Sequence, residues 1–296
     1  MSEPRQHFMQ SQRLKLSYWT WGDAANPPLI LVHGGRDHSR SWDAMAEQFE
    51  NDYHVLACDL RGHGDSEWAR GSYYSTADHM LDLLALIDLV GGRATVMAHS
   101  FGGAIALMTA GVFPERFEKI VSIEGAGAWV RDEDAVTPDK IRDWGLRARS
   151  AEQRSPQVYP TIEVARDRMR EANPRLSEEL AMHLTRWGTH AIDGGYVWKF
   201  DPWVHRRGLV HNLRLEEVAK IWAEITCPVL HLIGGESHAA RHELDGKPVD
   251  SYFADSQRVE IGGAGHWVHH DQLDLATDEI RQFLGPPPPS SQATTY

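Results

Sequence analysis

The sequence predicts an α/β fold in which a mostly parallel central sheet is flanked by helices and carries a helical insertion. Three observations support this. Short apolar, partly β-branched runs recur at Leu29–Val32, Val55–Ala57, Ala94–Ala98, Ile120–Ile123 and Val229–Ile233, the composition of strands buried on both faces. Helical patterns lie between several of them, which implies right-handed βαβ crossovers. The alternation then stops from about 129 to 215, where the chain is rich in Trp, Arg, Asp and Glu at helical spacing.

Taken in order, Leu29–Val32 ends at His33-Gly34-Gly35, a glycine-rich turn with Trp42 nine residues after His33. Val55–Ala57 leads into Asp59-Leu60-Arg61-Gly62-His63-Gly64-Asp65-Ser66, read as a tight structural turn held by polar contacts. Met80–Val90 reads as a helix, Ala94–Ala98 as a strand running into Ser100, and Gly102–Val112 as the helix after it. Ile120–Ile123 ends at Glu124. Inside the insertion, Thr161–Glu171 and Leu176–Thr185 have helical spacing, and the last helix is Leu273–Phe283. This order assigns 1–128 and 216–284 to the core and 129–215 to a helical cap. Residues 285–296, with four consecutive prolines, are expected to be an extended or disordered tail.

Composition bounds the function. Hydrophobic residues make up 42% and charged residues 24%, as in ordinary globular proteins. A formal net charge of -12 argues against a nucleic-acid binder, which needs a basic surface to neutralise phosphates. The insertion is the least acidic part: its 13 Arg and 2 Lys outnumber its 13 Asp plus Glu by two. No secretion signal or stretch of eighteen consecutive apolar residues is evident, so neither export nor a membrane span is expected. Cys58 and Cys227 each sit in an apolar run, which reads as a pair of reduced, buried thiols in a cytoplasmic protein. No heptad pattern predicts an oligomer.

The segment Val96-Met97-Ala98-His99-Ser100-Phe101-Gly102-Gly103 ends a strand and opens a helix, with small residues two before and two after the serine. This is the pattern of a nucleophile elbow, with Ala98 where glycine is commoner. The turn is tight enough to exclude bulky neighbours, and the helix N-terminus directs amides at developing negative charge. The plain alternative is that Ser100 only caps a helix. The backbone N–H groups of Gly35 and Phe101 are the candidate oxyanion donors.

With these three motifs in this order, the chain resembles the α/β-hydrolase fold superfamily from about Leu14 to Leu284. Within it, Ile123-Glu124-Gly125, the Arg- and Trp-rich insertion and the strand end near Gly234 look most like the serine hydrolase-like proteins. The resemblance implies that His266, in Gly262-Gly263-Ala264-Gly265-His266-Trp267, is the general base. The superfamily's usual acid is an Asp after the strand ending near Ile233, but the turn here reads Gly234-Gly235-Glu236-Ser237-His238, with Ser237 or His238 in that slot. Glu124 is favoured as the acid, since adjacent parallel strands end on one edge, and Glu236 is the alternative.

The expected chemistry is hydrolysis of a small acyl substrate, ester or similar, through an acyl-enzyme and without a cofactor. His33, His99, Trp129 and Trp267 are candidate pocket residues, although His33 and His99 could instead pack the turn. Trp144, Trp187, Trp198 and Trp203 would add apolar surface from the cap or serve as its core. Although the chain has 17 His, no metal-ligand spacing such as His-Glu-x-x-His appears, and no metal is expected. Two other readings are carried: a cofactor-free dioxygenase using a His and a carboxylate on this scaffold, and a non-catalytic small-molecule binder. Hydroxynitrile lyase, haloalkane dehalogenase and epoxide hydrolase are weaker; the last two require Asp where this chain has Ser100.

Overall fold

Among the described residues, eight strands hydrogen-bond into one sheet in the order β1-β2-β4-β3-β5-β6-β7-β8. They are β1 (Arg5–Ser11), β2 (Leu14–Trp21), β3 (Pro28–Val32), β4 (His54–Cys58), β5 (Ala94–His99), β6 (Phe117–Ile123), β7 (Val229–Gly234) and β8 (Ser256–Ile261). The computed structural model describes residues 3–71, 74–126, 130–131, 137–152, 155–204, 213–237 and 243–287. From β4 to β8 every neighbouring pair is parallel, while β1 and β2 add an antiparallel edge.

The apolar runs are continuous because both faces of the sheet are covered. Along β3, Ile30 and Val32 enter one core with Val96, Ala98 and Ile120, while Leu29 and Leu31 enter the other with Val55, Met97 and Val121. The first core is closed by α2 (Thr76–Leu89), α3 (Phe101–Val112) and α7 (Leu215–Ala223), the second by α1 (Asp43–Phe49) and α8 (Leu273–Leu284). A strand with two buried faces has no polar side to show in its sequence.

The core departs from the sequence reading in its first strands and in the start of α2. Strands β1 and β2 were not anticipated. Their faces are mixed, with Met9 and Leu16 buried beside exposed Phe8 and Lys15, so they lack the all-apolar signature of the inner strands. Helix α2 also begins a turn before the expected Met80: the Ser75 hydroxyl accepts the Asp78 N–H at 3.1 Å, and this cap recruits the polar turn Thr76–His79.

Between β6 and β7 the chain forms α4 (Pro138–Glu152), α5 (Ile162–Ala172) and α6 (Glu178–Gly188) before α7. It also forms an antiparallel hairpin of Thr189–Ile192 with Gly195–Trp198, where helical structure was expected. Asp193-Gly194-Gly195 turns it, with both glycines at positive φ, and Gly188 ends α6 just before. Several contacts fasten the segment to the core. On one side Nε2 of His38 bonds the Leu184 carbonyl at 2.9 Å, and the Arg40 guanidinium stacks between the Trp19 and Trp187 rings. On the other, Lys199 pairs with Asp65 at 2.7 Å and the Asp201 N–H donates to the Gly62 carbonyl at 2.7 Å.

Among the described residues no helix is long and apolar enough to cross a membrane. The expected tail lies outside the described residues from 288 onward.

Candidate active site

Strand β5 is buried throughout and delivers Ser100 to the carboxyl edge of the sheet, directly before α3. Ser100 has φ 50° and ψ -114°, a left-handed conformation that a residue with a side chain adopts only under constraint. The constraint comes from close backbone contact on both sides. A Cβ at Gly102 would collide with the Val32 carbonyl, and one at Gly103 would stand 2.6 Å from the Cα of Gly125. Glycine at 102, 103 and 125 therefore lets the elbow nest between the loops that follow β3 and β6.

The His33-Gly34-Gly35 loop lies against this elbow. A Cβ on Gly34 would sit 2.9 Å from His99 Nδ1 and 3.3 Å from the Ser100 Cβ. Gly35, next in line, is exposed. Phe101, the other candidate oxyanion residue, is the first residue of α3, where helix amides face outward from the N-terminus, and its ring packs edge-on against His79.

Glu124 follows β6 at φ 53°, and its side chain is fully buried. Oε1 accepts the Gly234 N–H at 2.7 Å, while Oε2 accepts the Ser237 hydroxyl at 2.7 Å and faces His266 Nδ1 at 3.1 Å. With a carboxylate on Nδ1, the Nδ1–H tautomer is favoured and Nε2 is the basic nitrogen. Ser237, one of the two residues in the slot where an Asp was sought, thus contributes a hydroxyl to the carboxylate. The sequence marked this position only by what it lacked. His238 lies outside the described residues.

Glu236 stands elsewhere: its half-exposed carboxylate is paired with Arg175 of the insertion.

The two histidines expected along the pocket are structural in their contacts. His33 is fully buried; Nδ1 donates to the Gly34 carbonyl at 2.6 Å and Nε2 accepts the Leu60 N–H at 3.0 Å, and burial pulls its pKa down to about 3. His99 is buried with Nε2 bonded to the His266 carbonyl at 2.8 Å, which ties β5 to the loop that carries His266. Burial, then the nearby His266, holds its pKa well below the usual imidazole value. Both side chains are buried, and their bonds to backbone pack the turn. Trp267 is half-buried with its ring edge-on to His266 at 5.2 Å. Trp129 lies outside the described residues. Trp187 and Trp198 are packing residues, the first against Trp19 and the second against Tyr159.

The Asp59–Ser66 turn is held by polar contacts, as expected. Asp59 accepts the Ser39 N–H at 2.7 Å and the Asp65 N–H at 3.0 Å, and Arg61 makes a two-pronged pair with Asp82 at 2.6 and 2.7 Å. Among the described residues no cluster of three or more His, Cys, Asp or Glu side chains is arranged to hold a metal ion.

Comparison with known proteins agrees with this architecture. A serine hydrolase-like protein of Danio rerio is 25% identical over 279 residues, covering 91% of this chain and 85% of its own. Esterase YbfF of Escherichia coli is 23% identical over 88% of this chain and 93% of its own. The thioesterase domain from the curacin biosynthetic pathway superposes with a TM-score of 0.80 at 22% identity, covering 94% of this chain and 99% of that domain. The profile of the alpha/beta hydrolase fold matches residues 27–273, most of the chain. The chain belongs to the alpha/beta hydrolase fold family.

Proposed function

We propose that the protein is a serine hydrolase that cleaves an ester or related acyl bond through Ser100, His266 and Glu124. The observation that carries this reading is the 3.1 Å contact from His266 Nδ1 to a carboxylate held by two further donors. A buried acid fixed in this way orients the imidazole and stabilises its protonated form during the reaction. His266 Nε2 removes the Ser100 proton as Oγ bonds to the acyl carbon, and the Gly35 and Phe101 amides receive the developing oxyanion. Collapse of the tetrahedral species breaks the bond to the leaving group, which takes its proton from His266. Water then adds to the acyl-enzyme, giving its proton to His266, and the acid product leaves with Ser100 restored.

Residues 129–215 act in this reading as a cap over the site, with 1–128 and 216–284 as the core. Relatives named as an esterase and a thioesterase support an acyl ester or thioester as the substrate class. The two cysteines, free and buried, support a reducing cytoplasmic setting.

Hydrolysis of p-nitrophenyl acetate and butyrate by two variants tests the choice of acid. Glu124→Gln is expected to lower kcat by about 10³ to 10⁴, because the imidazole loses its orienting anion. Glu236→Gln is expected to remain within about threefold of wild type, the range for an exposed ion pair. The reverse pattern would overturn the assignment.

A further inference from the structure

The loop that carries His266 contains three glycines, Gly262, Gly263 and Gly265, and has little stiffness of its own. Its position depends on ties from its neighbours. The Gly265 N–H donates to Asp271 Oδ2 at 2.8 Å, the Glu236 N–H donates to the Ala264 carbonyl at 2.9 Å, and His99 bonds the His266 carbonyl. A further tie comes from the insertion. Arg175, between α5 and α6, donates from Nη1 to the Gly263 carbonyl at 3.2 Å and pairs through Nη2 with Glu236. Its Nε stands 3.8 Å from the same Asp271 oxygen that holds Gly265.

Arg175 therefore acts on the loop twice, directly at Gly263 and indirectly through Asp271. The Asp271 side chain is almost fully buried, and burial raises its pKa while Arg175 lowers it. Without the guanidinium, Asp271 is a weaker anion and a weaker acceptor for the Gly265 N–H. Stability does not account for the arrangement: Arg175 and Glu236 are 39% and 55% exposed, and exposed ion pairs add little to folding stability. A Cβ on Gly265 would stand 3.2 Å from Arg175 Nε, so the loop is glycine where the arginine crosses it.

We propose that Arg175 is a positioning residue through which the insertion holds the His266 loop in register with Glu124; this rests on the role of His266 proposed above. The test uses the full chain with Arg175→Met, which keeps the length but removes the donors, and Arg175→Lys, which keeps one donor. Four quantities are read: kcat and KM on p-nitrophenyl acetate, the urea midpoint, and the His266 Nδ1–H resonance in ¹⁵N-histidine-labelled protein. Arg175→Met is expected to lose about tenfold in kcat, with KM within about twofold and the midpoint unchanged, and to broaden the resonance by faster exchange. Arg175→Lys is expected to return to within about threefold of wild type.

Unchanged kcat with an unchanged resonance overturns the proposal. So does a rise in KM alone, which would make Arg175 a fastening of the insertion, or a loss of kcat that merely follows a lower midpoint. If wild type does not hydrolyse the ester, the hydrolase reading fails separately. The resonance then decides for Arg175, with broadening supporting the positioning role and no change refuting it.

Discussion

Lowering the pH should unfold this protein over a narrow range, because the fold holds many imidazoles neutral. Burial pulls His33 and His38 down to about 3 and His231 and His270 to about 4, and holds His79, His99 and His269 well below the usual value. Each takes up a proton near pH 6.5 in the unfolded chain but only at much lower pH in the folded one. Their contribution to stability is therefore complete above about pH 7 and is lost as pH falls below 6.5. Groups of opposite sign offset part of this. His183 is raised by its bond to Asp43, Asp37 is raised by burial to about 7, and burial also raises Asp59, Asp82 and Asp271. The four carboxyls favour the folded state as pH falls through their raised values towards 3.8, while the gain from His183 is complete by about pH 6.5. The buried imidazoles outnumber the carboxylates that oppose them, so unfolding takes up protons below about pH 6.5 and stability falls there by about 1.4 kcal/mol per pH unit for each net proton. Against a total stability of about 5–15 kcal/mol, a net uptake of even two protons is a large loss between about pH 6.5 and pH 4. Urea titrations followed by tryptophan fluorescence from pH 7.5 to 5, at constant ionic strength, give the slope directly. His231→Gln should flatten it by about 1.4 kcal/mol per pH unit, corresponding to one proton. A stability that varies by less than about 1 kcal/mol between pH 7 and pH 5 would refute the reasoning.

Ser237→Ala removes one of the donors on Glu124 and should lower kcat on p-nitrophenyl esters about tenfold, the value of one hydrogen bond to a charged group, while Ser100 still labels. A variant with full kcat would show that Gly234 and His266 hold the carboxylate unaided. Asp82→Ala should cost about 3 kcal/mol in urea unfolding, since it strands the buried Arg61 with only Asp78 at 3.5 Å. A loss below about 1 kcal/mol would mean that the pair adds nothing to the turn.

The inner sheet was legible because strands covered on both faces carry unbroken apolar runs, as in Leu29–Val32 and Ala94–Ala98. β1 and β2 were not, because an edge hairpin with one wet face alternates weakly and its residues read as polar loop. The placement of Glu124 on the same sheet edge as Ser100 was legible from strand order, since β5 and β6 are neighbouring parallel strands. What strand order could not supply was burial. His33 and His99 look like pocket histidines beside their glycines, and only the packed structure shows both ring nitrogens of His33 and Nε2 of His99 bonded to backbone. Pairings across long separations were equally hidden: Arg175 and Glu236 are 61 residues apart, and neither carries a local signal for the other. The hairpin of Thr189–Trp198 was masked by the helical spacing on its N-terminal side, although Asp193-Gly194-Gly195 is a turn signature in its own right.

The account rests on Ser100 being an activated nucleophile. Reaction with a fluorophosphonate, followed by intact mass and peptide mapping, tests this without knowledge of the natural substrate. Wild type is predicted to gain a single adduct on Ser100, and Ser100→Ala, folded by circular dichroism, to gain none. A folded wild type that stays unlabelled, or an adduct on another residue that persists in Ser100→Ala, would contradict it.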